Sequence, residues 1–140
     1  RAVAHMVGHR SGQVLNVAAT AAFMPGPQMA VYHASKAYLL SMSEAVATEL
    51  RGSGVTVTAL CPGPTDTAFF NADDAVKATL ITKMGMASAA TVAKAGWDAM
   101  ERGKRIKVVG VQNVIFANLP RVAPRTLVAR VAQIFLKRRG

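Results

Sequence analysis

The chain has 140 residues, 51% of them hydrophobic, and a formal net charge of +10. That is enough for one domain with a core, and no apolar run approaches the ~20 residues that span a bilayer. Cys61 is the only cysteine, which excludes an internal disulfide and fits a reducing, cytoplasmic setting.

The chain opens on Arg1 without a methionine, so either something was removed or this is a fragment, and no signal peptide is expected. "GQVLNVAA" (12–19) is a short β-branched run after a glycine, which predicts a buried strand. "FMPGPQM" (23–29) is a loop. From about Val31 to Arg51 the pattern is helical, with Leu39, Met42, Ala45, Val46 and Leu50 as an apolar stripe, and "RGSG" ends it. "VTVTALC" (55–61) predicts a second buried strand, closed by "PGPT". Residues 66–86 read as irregular. Ser88 to Arg102 reads as a second helix with Ser88 as N-cap, and "RIKVVG" (105–110) as a third strand. Strands alternating with helices at this spacing predict a parallel sheet with right-handed crossovers, hence an α/β fold.

The tail differs in charge. Residues 1–100 are nearly balanced, whereas residues 101–140 carry ten Lys/Arg and one acid, Glu101. Pro120 and Pro124 break the tail into short helices. Leu127, Val128, Val131, Ile134 and Phe135 form a stripe flanked by Arg125, Arg130 and Lys137. A basic amphipathic helix suits either peripheral contact with an anionic membrane or docking on its own domain or a sister subunit. Aromatics are not interleaved with the charges, which argues against nucleic acid.

Tyr32 and Lys36 stand four apart at the start of the first helix, so both project from one face. An ammonium beside a phenol favours the phenolate, and acid/base work near neutral pH asks for a shift of ~2–3 units. Taken alone, the pair is also an ordinary helix surface. His5 and His9 share that spacing, but no cysteine or carboxylate joins them locally, so they read as solvated. Cys61 ends an apolar strand and reads as a small buried hydrophobe.

The order of motifs narrows the reading. A strand ending in "NVAAT", then "YHASK", then a strand ending in "PGPTDT", resembles the short-chain dehydrogenase/reductase family. The carrying residues are Asn16, the YxxxK pair Tyr32 and Lys36, and Pro62–Gly63 with Thr67 four beyond the glycine. The resemblance covers roughly residues 10–110 and implies the C-terminal part of a doubly wound, Rossmann-like parallel sheet of about three strands. It implies residues 1–110 as that part of an NAD(P)-binding domain and 111–140 as a basic helical tail. It also implies roles. Tyr32 is the general acid or base. Lys36 lowers its pKa and holds the nicotinamide ribose. Asn16, Pro62, Gly63, Pro64, Thr65 and Thr67 line the NAD or NADP site. Phe69, Phe70 and Met84 belong to a substrate loop.

Two departures stand beside the match. The family serine thirteen residues before the tyrosine is Ala19 here, which has no donor. Thr20 is the candidate substitute, although neighbours near a strand end tend to face opposite ways. The glycine-rich diphosphate loop is also missing, since "GHRSGQV" precedes a strand instead of following one. The resulting reading is an NAD(P)-dependent oxidoreductase acting on an apolar carbonyl or alcohol, working as a homo-oligomer. This stretch by itself would be inactive, and the strand at Val14–Val17 would present a bare edge. The alternative is a catalytically silent, reductase-like interaction protein.

Overall fold

The computed structural model describes residues 2–68 and 85–136. Helix α1 (Ala2–Gly8) leads into β1 (Gly12–Val17). A 3₁₀ turn, η1 (Thr20–Phe23), precedes the long helix α2 (Ala30–Glu49). Then come β2 (Val55–Cys61) and the two-residue β3 (Thr65–Asp66), followed by β4 (Ala87–Ser88). Helix α3 (Ala89–Glu101) leads to β5 (Ile106–Val108). The tail forms α4 (Val111–Asn118), η2 (Leu119–Arg121) and α5 (Arg125–Leu136).

β1 and β2 pair in parallel from Gly12↔Val55 to Val17↔Leu60, and β2 and β5 from Ala59↔Ile106 to Cys61↔Val108. The order is β1–β2–β5, the three-stranded parallel sheet with flanking helices expected from the sequence. Parallel neighbours need crossovers, and α2 and α3 supply them. Alternation along β2 then feeds two cores. Ala59 and Cys61 meet Ala18 and Leu40 on the α2 side. Leu60 meets Val92 and Val109 on the α3 side. Ser88 caps α3 as its sequence predicts, its Oγ accepting from the Thr91 N–H at 3.1 Å.

The stripe read from the sequence in α2 is half-buried at Leu39, Met42, Val46 and Leu50, but the fully buried residues are others. They are His33, Leu40 and Ser43, while Ala45 is exposed. The polar members of this face are satisfied locally, which removes the usual penalty of burying them. Ser43 Oγ donates to Leu39 O at 2.6 Å and accepts from Asn16 Nδ2 at 2.9 Å. His33 Nδ1 bonds Met24 O at 2.8 Å. A helix lying on Ala59 and Cys61 has room for small residues, so apolar bulk is a poor guide to its orientation.

The stripe read in the tail helix is split between buried and exposed positions. The buried line of α5 is Val128, Ala132 and Leu136, whereas Leu127 and Ile134 are exposed. Phe116 and Phe135 meet edge to face, ring centroids 5.8 Å apart, joining α4 to α5. Among the described residues no helix is long and apolar enough to cross a membrane.

Candidate active site

Both β1 and β2 end at the same edge of the sheet, and the segments that follow them line one cavity of about 910 Å³. Ala19, Thr20, Tyr32 and Lys36 line it from one side. The turn Pro62–Gly63–Pro64–Thr65, with Thr67, lines it from another. Clefts beyond the carboxyl ends of parallel strands are where open α/β sheets hold ligands.

Tyr32 and Lys36 reach this cavity because α2 begins beside the end of β1. Lys36 Nζ donates to the carbonyl of Val17 at 3.1 Å, which ties the helix to the last residue of that strand. The same nitrogen lies 5.8 Å from the Tyr32 ring centroid, within cation–π range. Burial pushes the Tyr32 phenol above its usual value. The cause is desolvation of the phenol. A phenol is protonated at neutral pH and can act as a proton donor.

Ala19 and Thr20 both line the cavity, against the expectation that neighbours face opposite ways. The reason is local. β1 stops at Val17, and Thr20 opens η1, so strand alternation no longer applies. The Thr20 N–H donates to Pro62 O at 2.8 Å, bringing the ends of the two strands together. Thr65 Oγ1 donates to Gly63 O at 3.0 Å, and Thr67 Oγ1 to Thr65 O at 3.3 Å.

Asn16 is placed elsewhere. Its amide is bonded to Ser43 between sheet and helix, and it does not line the cavity. Phe69, Phe70 and Met84 lie outside the described residues. His5 and His9 are exposed on and just beyond α1, their rings 4.3 Å apart. Cys61 is fully buried, and burial, with Glu44 nearby, pushes its thiol up to about 11.

The cavity also has walls that the motifs did not indicate. Asn113 and Phe116 of α4 line it, as do Val128, Val131 and Phe135 of α5. The basic tail therefore turns part of its apolar face to the cavity. The signal available in the sequence was the stripe itself, which contains Val131 and Phe135 but carries no address for its partner.

A family model for short chain dehydrogenase matches residues 1–78. The chain belongs to the short chain dehydrogenase family. Among curated relatives, 2,3-dihydro-2,3-dihydroxybenzoate dehydrogenase of Escherichia coli (strain K12) is 47% identical over 58 residues, 41% of this chain and 23% of that protein. The 17-beta-hydroxysteroid dehydrogenase type 3 of Mus musculus is 38% identical over 58 residues, 41% of this chain and 19% of that protein. The matched stretch is thus less than a quarter of the length of these relatives. Among solved structures, a short chain dehydrogenase from Burkholderia cenocepacia J2315 in complex with NADP superposes with a TM-score of 0.73 at 25% identity. That match covers 92% of this chain and 50% of the other. A short-chain dehydrogenase from Sphingobium yanoikuyae in complex with NADPH has a TM-score of 0.66 at 22% identity, covering 77% and 41%. The second likeness speaks for the fold alone.

Proposed function

We propose that this chain supplies the acid/base and nicotinamide-facing part of an NAD(P)-dependent oxidoreductase acting on a carbonyl/alcohol pair. The observation that carries the reading is that Tyr32 and Lys36 line one cavity with the Pro62–Thr65 turn. The complex of the Burkholderia relative with NADP supports the cofactor class. The residues suit the nicotinamide end of such a cofactor. The turn bears a bare glycine at Gly63, and Thr20, Thr65, Thr67 and Lys36 line the cavity with it. Among the described residues no glycine-rich turn for a diphosphate lies between a strand and a helix.

When bound, the nicotinamide supplies or accepts the hydride. Tyr32 Oη gives its proton to the carbonyl oxygen as the alcohol forms, and takes it back in the reverse direction. Lys36, anchored on the Val17 carbonyl beside the phenol, would hold a ribose hydroxyl of the cofactor. Phe116, Val131 and Phe135 exclude water and favour a bulky apolar substrate.

The test is turnover of apolar ketones by the intact protein with NADPH and NADH, beside Tyr32→Phe. The substitution should abolish turnover while leaving cofactor affinity within a few fold. Turnover equal to wild type in Tyr32→Phe would refute the reading. Ala19 favours a second one, a silent binding protein. Tight cofactor binding with no turnover across a panel of ketones and alcohols would select it.

A further inference from the structure

We propose that Asn113 is the positioning residue that fixes the Pro62–Gly63 turn and, through it, the nicotinamide end of the cofactor site. This rests on the cofactor reading above. The turn after β2 is held by its carbonyls. Pro62 O accepts from the Thr20 N–H at 2.8 Å, Gly63 O from Thr65 Oγ1 at 3.0 Å, and Pro64 O from the Ala87 N–H at 3.0 Å. Two of its residues are prolines and have no N–H to give. What these bonds leave unset is how deeply Gly63 enters the cavity.

Asn113 sets that depth. A Cβ added at Gly63 would fall on the Asn113 amide, with Oδ1 2.6 Å away and Nδ2 nearer still. The amide and the glycine backbone are therefore in contact, with no space for a methyl group. Asn113 in turn cannot retreat. Its Nδ2 donates to Val109 O at 2.6 Å, and the Val109 N–H bonds Cys61 O at 3.3 Å at the end of β2. Gly110, with φ +92°, makes the sharp entry into α4 that brings Asn113 back over the turn. One amide thus clamps the end of β5, the start of α4 and the turn after β2, and all of them border the cavity through Asn113 and Gly63. A ring carboxamide laid against Gly63 would be placed by this clamp, whereas the adenine and diphosphate of the same cofactor would not touch it.

The experiment is a double-mutant cycle of Gly63→Ala and Asn113→Ala in the intact protein. It is read by thermal melting and by binding of two probes, NADPH and the phospho-ADP-ribose that lacks nicotinamide. Gly63→Ala alone should lower the melting temperature and weaken NADPH ~10-fold; in the Asn113→Ala background the methyl group finds space, and the further loss should stay below ~2-fold. Asn113→Ala should weaken NADPH ~10-fold while phospho-ADP-ribose changes less than ~2-fold. Additive melting temperatures refute the clamp, whatever the ligand. Equal loss for both probes means general loosening and overturns the proposal. Wild-type protein that binds neither probe refutes the cofactor reading, and the nicotinamide clause falls with it.

Discussion

Restoring a hydroxyl at Ala19 tests whether this cavity performs acid/base chemistry. Ala19 is 6% exposed, lines the cavity with Tyr32 and precedes η1 with extended backbone. A serine there adds one oxygen and can present a donor to a substrate carbonyl. A full oxyanion donor is worth ~10²–10³ in rate. The gain should be smaller here, because a serine before η1 can also bond the local backbone, as serines at turn starts do. Near that position the Ala19 carbonyl already accepts from the Ala22 N–H at 3.0 Å. With part of the population diverted in this way, Ala19→Ser should raise kcat for ketone reduction about 10-fold. A hydroxyl left unpaired in so buried a spot would cost ~1–3 kcal/mol, so a drop in melting temperature without a gain in rate would mean that Oγ faces the wall. The assay is steady-state NADPH oxidation by the intact protein, run beside Thr20→Val in both backgrounds. If Ala19→Ser brings no gain while Thr20→Val abolishes turnover, the reasoning about Ala19 is refuted and Thr20 fills the role. If neither change matters while Tyr32→Phe stays dead, the donor lies elsewhere.

Two further outcomes concern the framework. Leu60 is 2% exposed between β2 and α3, so Leu60→Ala should destabilise the protein by roughly 2–5 kcal/mol in urea titration, and a loss below ~1 kcal/mol would mean that α3 collapses into the gap. The Cys61 thiol, raised from 9.0 to about 11 by burial, favours the folded state while protonated. That stability is whole below the ordinary thiol value and is lost as pH rises from 9.0 through about 11. Wild type should therefore lose roughly 1–3 kcal/mol relative to Cys61→Ala across that window, and parallel curves for the two would show that the thiolate is tolerated.

The sheet was legible because β-branched runs bounded by glycine and proline carry their own signal, and the lengths between them allow only crossover helices. The candidate site was legible through spacing. Tyr32 with Lys36, and Pro62 with Gly63, fall where two strands end side by side. What the sequence concealed was orientation. Asn16 turned to Ser43, because a buried amide seeks the nearest hydroxyl. The inward face of α2 holds a histidine and a serine whose hydrogen bonds no hydrophobic pattern encodes. The burial of Tyr32, and with it the upward shift of its phenol, depends on walls contributed by distant segments. Asn113 is invisible as a motif and gains its meaning only from the glycine it meets.

α2 is both the bearer of Tyr32 and Lys36 and the connection between two parallel strands. Gly12 and Val55 are partners across that connection although the whole helix separates them in the chain. Parallel pairing closes a long loop before any contact repays its entropy, so such joints form late and slowly. The Thr20 bond to Pro62 exists only once that joint is closed. The cavity around the reactive pair is therefore completed by a non-local pairing event, and regain of activity after dilution from denaturant would trail the return of helical signal.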